Sequence, residues 1–169
     1  SQDALVPLLF RPEWMLPGLA SRTRPAVLRD MVALARSTGL LYDDVAFLRE
    51  LEDRESVAST AVDGGVAFLH TRFHDPYHAS DSFVVLGRAQ QHIFFGAQDG
   101  TETDLFFLLY CTDDALHLHT LARLCMLAHD SDGVPLDVDA KVGRAFGSMV
   151  KFPVGDRAGC RAVLEKLAA

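Results

Sequence analysis

The 169-residue sequence predicts an α/β fold, a three-layer α/β/α sandwich in which a mixed central sheet is flanked by helices. Three patterns carry this expectation. Two segments in the first third repeat apolar residues at helical spacing. From Ser59 onwards the period changes: GGVAFLH (64–70), SFVVLGRA (82–89) and TDLFFLLYC (103–111) are short β-branched or aromatic runs bounded by Gly, Asp and Pro. The run 105–111 is apolar on both faces, as a strand must be when helices cover the sheet on each side.

Taken in order, the opening segment offers two candidate strands, Leu5 to Leu9 or Trp14 to Leu16. PAVLRDMVALARSTG then places Pro25 in the first turn of a helix, where its missing N–H costs nothing, and Gly39 just past the end. Val27, Leu28, Met31, Leu34 and Ala35 form its apolar face. A second helix, VAFLRELEDRE, starts under Asp43 or Asp44 as N-cap and turns Val45, Leu48 and Leu51 inward. After the three strands, Asp113 or Asp114 caps ALHLHTLARLCMLAHD, with Leu121, Leu124, Cys125 and Ala128 on its apolar side. The stretch that follows mixes turn residues with a short helix around Ala140 to Phe146 and a strand near Met149 to Phe152. A last helix, capped by Asp156, carries Cys160, Val163, Leu164 and Leu167 inside. With no internal repeat or linker, one domain over 1–169 is expected, and a start at Ser1 is compatible with the C-terminal part of a longer protein.

Composition narrows the function classes. Hydrophobic residues at 49% and charged residues at 23% are ordinary globular values. A net charge of −7 without any basic run argues against nucleic acid as a partner. No stretch approaches the roughly 20 apolar residues a membrane-spanning helix needs, so no membrane insertion is expected. The opening lacks the layout of a signal peptide, which makes the cytoplasm the expected location. Cys111, Cys125 and Cys160 are too scattered for a disulfide framework or a CxxC metal site and read as small core residues.

The seven histidines hold the chemistry worth weighing, because imidazole changes charge near neutral pH and serves as nucleophile, base or ligand. His70, His74 and His78 would share one face if helical, a spacing that suggests zinc. Pro76 disfavours helical geometry at Asp75, and 66–70 reads as a strand, so no metal or other cofactor is assigned. His74 and His78 then belong to a polar surface loop, while His92 and His129 receive no role. His117 follows a buried strand and opens a helix, where unbonded N–H groups and the helix dipole favour an anion such as a phosphoryl group. His119 is rotated about 200° from it. A histidine that caps the helix or packs on the core fits position 117 equally well.

A family pattern breaks that tie. Arg54-Glu55, Ser59-Thr60 and Gly64-Gly65-Val66-Ala67-Phe68-Leu69-His70 resemble the Arg-Glu, Ser-Thr and Gly-Ile-Ala-Ile-Pro-His stretch of enzyme IIA of the fructose/mannitol class of the bacterial phosphotransferase system. The Arg-to-His spacing is the same, and TDLFFLLYC and HLHTLA resemble the later strand and HLxxLA helix start of that family, especially its nitrogen-regulatory branch. The resemblance is strongest over 14–130. It implies that His70 accepts a phosphoryl group from the phosphocarrier HPr and hands it to enzyme IIB, or that its phosphorylation acts as a regulatory signal. It also implies that His117 is the second active-site histidine and stabilises charge, and that Arg54 is a supporting cation that binds phosphate or braces the backbone. Arg72 is a nearby cation without a secure family counterpart. Leu69 stands where the family has Pro and Thr71 where it has Gly. A non-catalytic regulatory or interaction domain that keeps the fold is the alternative those departures leave open.

Overall fold

The computed structural model describes residues 14–62, 65–73 and 75–113. Helix α1 spans Arg24–Arg36 and helix α2 Asp44–Val57; the strands are β1 (Met15–Leu19), β2 (Ala61–Val62), β3 (Val66–Leu69), β4 (Phe83–Ile93) and β5 (Thr103–Tyr110). Among the described residues the strands form one sheet in the order β1-β4-β5-β3-β2. β1 runs parallel to β4, β4 antiparallel to β5, β5 parallel to β3, and β3 antiparallel to β2. The expected mixed sheet with flanking helices is therefore present. The expected strand at Leu5 to Leu9, and every element expected beyond Asp113, lie outside the described residues.

Each helix begins as its sequence dictates. The Thr23 hydroxyl accepts the Ala26 N–H and Pro25 occupies the first turn of α1. Gly39, just past its end, takes φ +76°, a conformation only glycine adopts cheaply. Asp43 caps α2 by accepting the Ala46 N–H at 3.0 Å. In α1 the buried side chains are Val27, Leu28, Met31, Val32 and Ala35, with Leu34 packed partly against the core.

The inner face of α2 departs from expectation. Phe47, Leu51 and Glu55 are buried, whereas Val45 is 63% exposed. Phe47 is the larger side chain, and turning it inward sets the stripe at intervals of four; Val45, two residues away, is then carried to the solvent side. β2 was not visible in the sequence, and β4 runs past Ala89 to Ile93.

Both faces of the sheet are buried. Ala67, Leu69, Phe83, Val85, Phe106, Leu108 and Tyr110 join the helices in one core, and Phe68, Val84, Leu86, Phe107 and Leu109 on the other face are equally inaccessible. This explains why the strands read as unbroken apolar runs rather than alternating ones. The arrangement brings the carboxyl ends of the parallel pair β3 and β5 to the same end of the sheet, where His70 follows β3.

Candidate functional site

His70 is the first residue after β3, held by its own strand. Its Nδ1 lies 2.8 Å from the Phe68 carbonyl oxygen. A carbonyl only accepts, so Nδ1 carries the proton, and in a neutral ring the lone pair sits on Nε2. The Phe68 N–H in turn donates to the Thr60 carbonyl at 3.2 Å. Thr60 is gripped from the helix: its N–H donates to Glu55 Oε2 at 3.2 Å and its hydroxyl donates to Glu55 Oε1. A continuous path of hydrogen bonds thus runs from α2 through the edge strand to the imidazole.

The remaining motif residues act on the same turn. Arg54 Nη1 donates to the Ala58 carbonyl at 2.6 Å, satisfying an acceptor left over at the end of α2. The Ser59 hydroxyl donates to the Phe95 carbonyl at 2.6 Å and accepts the Ala61 N–H. β2 pairs Ala61 with Ala67 in antiparallel register, and the ladder gives out at Thr60, whose carbonyl takes the Phe68 N–H while its own N–H turns to Glu55. Arg54 therefore makes a backbone-bracing contact in the turn that joins α2 to β2. His117 and Gly64 lie outside the described residues, as do His74, His119 and His129.

Among the described residues of the segment after His70, 71–73 and 75–82, none is helical. The Asp75 side chain accepts the Tyr77 N–H at 2.8 Å, a local turn that competes with helix formation. Among the described residues no group of three His, Cys, Asp or Glu side chains could hold a metal ion. His78 is not the surface residue its loop suggested. Its side chain is 10% exposed and packs edge-on against Phe47 and Tyr110, with ring centroids at 5.3 and 6.1 Å. Leu41 bridges to Ala79 and the Tyr42 N–H donates to the His78 carbonyl, which draws His78 inward.

Tyr110 closes the loop from the sheet. Its hydroxyl donates to the Asp75 carbonyl at 2.9 Å, and burial pushes its pKa above the ordinary 10.0, so the donor stays protonated. Sequence reading missed this contact and the Glu55 grip. The only available signal was the spacing of Phe47, Leu51 and Glu55, which puts a carboxylate on a buried helix face, where it needs partners.

The family of sequences described as "Phosphoenolpyruvate-dependent sugar phosphotransferase system, EIIA 2" matches residues 8–141. The chain belongs to this family. The fructose-specific EIIABC component of the phosphotransferase system of Bacillus subtilis (strain 168) is 28% identical over 112 residues, 65% of this chain. The chain spans only 17% of that relative's length. Among solved structures, the nitrogen regulatory protein IIA-Ntr from Neisseria meningitidis aligns with a TM-score of 0.69 at 19% identity, covering 95% of this chain and 99% of its own. Mannitol IIA from Escherichia coli aligns with a TM-score of 0.69 at 14% identity over 94% and 98% of the two chains. The complex of mannitol enzyme IIA with phosphorylated enzyme IIB from Escherichia coli aligns at 0.67, 15% identical, over 92% and 94%. These likenesses confirm the enzyme IIA fold, and no helix of the described residues is long and apolar enough to cross a membrane.

Proposed function

We propose that this enzyme IIA domain carries a phosphoryl group on Nε2 of His70, taken from an HPr-like phosphocarrier and either passed to an enzyme IIB partner or read as a regulatory signal. The observation supporting this is the Phe68 carbonyl at Nδ1, which fixes the tautomer whose Nε2 is nucleophilic. In the transfer the Nε2 lone pair attacks phosphorus as the P–N bond to the donor's histidine breaks. The donor nitrogen recovers the electron pair, and Nδ1–H stays on the Phe68 carbonyl, where it shares the positive charge that the ring acquires. Onward transfer reverses these roles with the acceptor's nucleophile.

Phosphoryl transfer demands alignment and charge neutralisation more than covalent help. The Glu55-Thr60-Phe68 path supplies alignment. Arg54 serves as a supporting cation through the backbone of the turn, and His117 is assigned charge stabilisation by family resemblance. The departures at Leu69 and Thr71 favour a second reading, a regulatory interaction domain that keeps the fold without turnover.

The test is incubation with phosphoenolpyruvate, enzyme I and HPr, followed by intact mass and acid-lability. One acid-labile phosphoryl group is expected on the wild-type chain and none on His70→Ala. Absence of label while HPr itself is phosphorylated would establish the second reading instead.

A further inference from the structure

We infer that Arg72 is a phosphoryl-binding arm of the His70 site, which exchanges its contact with Asp53 for the phosphoryl group; this rests on His70 being the acceptor. Arg72 lies two residues beyond His70, so their Cα atoms are at most about 7.6 Å apart, within reach of a long arginine side chain. Its guanidinium is oriented from two directions. Nη1 lies 3.9 Å from Asp53 Oδ2, and Cζ lies over the Phe73 ring at 5.0 Å from its centroid. Thr71 donates its hydroxyl to the Phe73 carbonyl at 3.0 Å, which curls the backbone on either side of Arg72.

The contact with Asp53 is a weak one. Both side chains are about half exposed, at 46% and 51%, and 3.9 Å is too long for a charge-assisted hydrogen bond. Asp53 lies near the C-terminal end of α2, so its contact with Arg72 sets the segment just after His70 against that end of the helix. A phosphoryl dianion arriving on Nε2 offers more charge than one solvated carboxylate, and its oxygens match the fork of the guanidinium. The aromatic ring beneath tolerates either partner, because it touches the flat face of the guanidinium and leaves the N–H edges available. An ordinary solvated surface arginine would show none of the dependences below.

The deciding experiment uses phosphoramidate as donor, since a small molecule has no protein surface to dock. The His70 Nε2–P bond forms as the P–N bond of phosphoramidate, already protonated on its nitrogen, breaks; neutral ammonia leaves with the electron pair, and Nδ1–H is retained. Initial rates of phosphohistidine formation would be read by intact mass on the full chain. Arg72→Met should slow labelling about fivefold or more, and Arg72→Lys should fall between, keeping charge but not the fork. Asp53→Asn should accelerate labelling about twofold to threefold, and that gain should vanish in the Arg72→Met background, the signature of direct coupling. Titration with inorganic phosphate, followed on the His70 ring resonances, should show weaker binding in Arg72→Met without any turnover. Wild-type rates in Arg72→Met, or an Asp53→Asn gain that survives in its background, overturn the inference while leaving His70 as acceptor. A wild-type chain that takes no label and does not bind phosphate overturns both.

Discussion

Replacing Glu55 with alanine tests whether the hydrogen-bond path from α2 to His70 holds the site together. Glu55 and Thr60 are 6% and 7% exposed, so the carboxylate serves as a buried acceptor for both Thr60 donors. The substitution leaves the Thr60 N–H and hydroxyl buried without their acceptor, and each orphaned donor costs about 1–3 kcal/mol. Arg24 reaches the same carboxylate only at 3.5 Å and is 41% exposed, so it adds little. The two donors together give an expected loss of about 2–6 kcal/mol, with about 3–5 kcal/mol its central range. For a domain of this size that is a fall in Tm of roughly 6–20 °C. Glu55→Gln keeps one acceptor and the shape, and should lose about 1–2 kcal/mol. Urea and thermal unfolding followed by circular dichroism give the stabilities. Phosphoryl labelling of His70, measured where each variant is fully folded, should also fall in Glu55→Ala, because Thr60 no longer fixes Phe68. A Glu55→Ala protein within about 0.5 kcal/mol of wild type, the ordinary range for surface substitutions, would refute the buried-clamp reasoning.

Two further perturbations probe the packing and the loop. Gly87 lies under α1, and a Cβ there would sit 2.7 Å from Met31 Sδ and 3.4 Å from Leu19, so Gly87→Ala should destabilise by about 1–3 kcal/mol in urea unfolding through overpacking. Tyr110, whose pKa is raised by burial, should contribute stability that is intact below pH 10.0 and lost as pH climbs through the higher folded-state value, because the unfolded chain releases the proton first. Tyr110→Phe should flatten that alkaline loss and speed amide exchange at His78 and Ala79; an unchanged alkaline slope would count against the hydroxyl's placement.

Most of the architecture was readable because burial on both faces writes itself into β3 and β5 as continuous apolar runs, and because Thr23, Pro25, Gly39 and Asp43 mark helix ends by local chemistry. What stayed hidden depends on pairing across the fold. The two residues of β2 carry no period of their own and become a strand only by lying against β3. Val45 looked like an inward residue until Phe47 set the rotation of α2. At the site, the family resemblance singled out His70 and Arg54 and offered phosphate binding or backbone bracing for the arginine; it could not say that Arg54 takes the Ala58 carbonyl in particular or that Glu55, its neighbour, is the residue gripping the turn. Adjacent residues on a helix point about 100° apart, so one motif serves two structural tasks.

The two departures beside His70 show how a loop can be held without the residues usually used to hold it. Proline before the histidine would fix φ, and glycine after it would permit a left-handed turn. Here Leu69 is wholly buried in the core shared with the helices, so packing restrains the backbone that proline would restrain covalently. Among the described residues no non-glycine position has positive φ, so Thr71 takes ordinary backbone geometry and turns the chain by donating its hydroxyl to the Phe73 carbonyl. Asp75 then holds Tyr77, and Tyr110 holds Asp75. Each substitution replaces a restraint built into the backbone with one made by a side chain, and side-chain restraints can be released. Thr71, which takes the place of glycine, also leads directly into Arg72, so under the proposal made above the residue that turns the loop would also present the guanidinium to a phosphoryl group on His70.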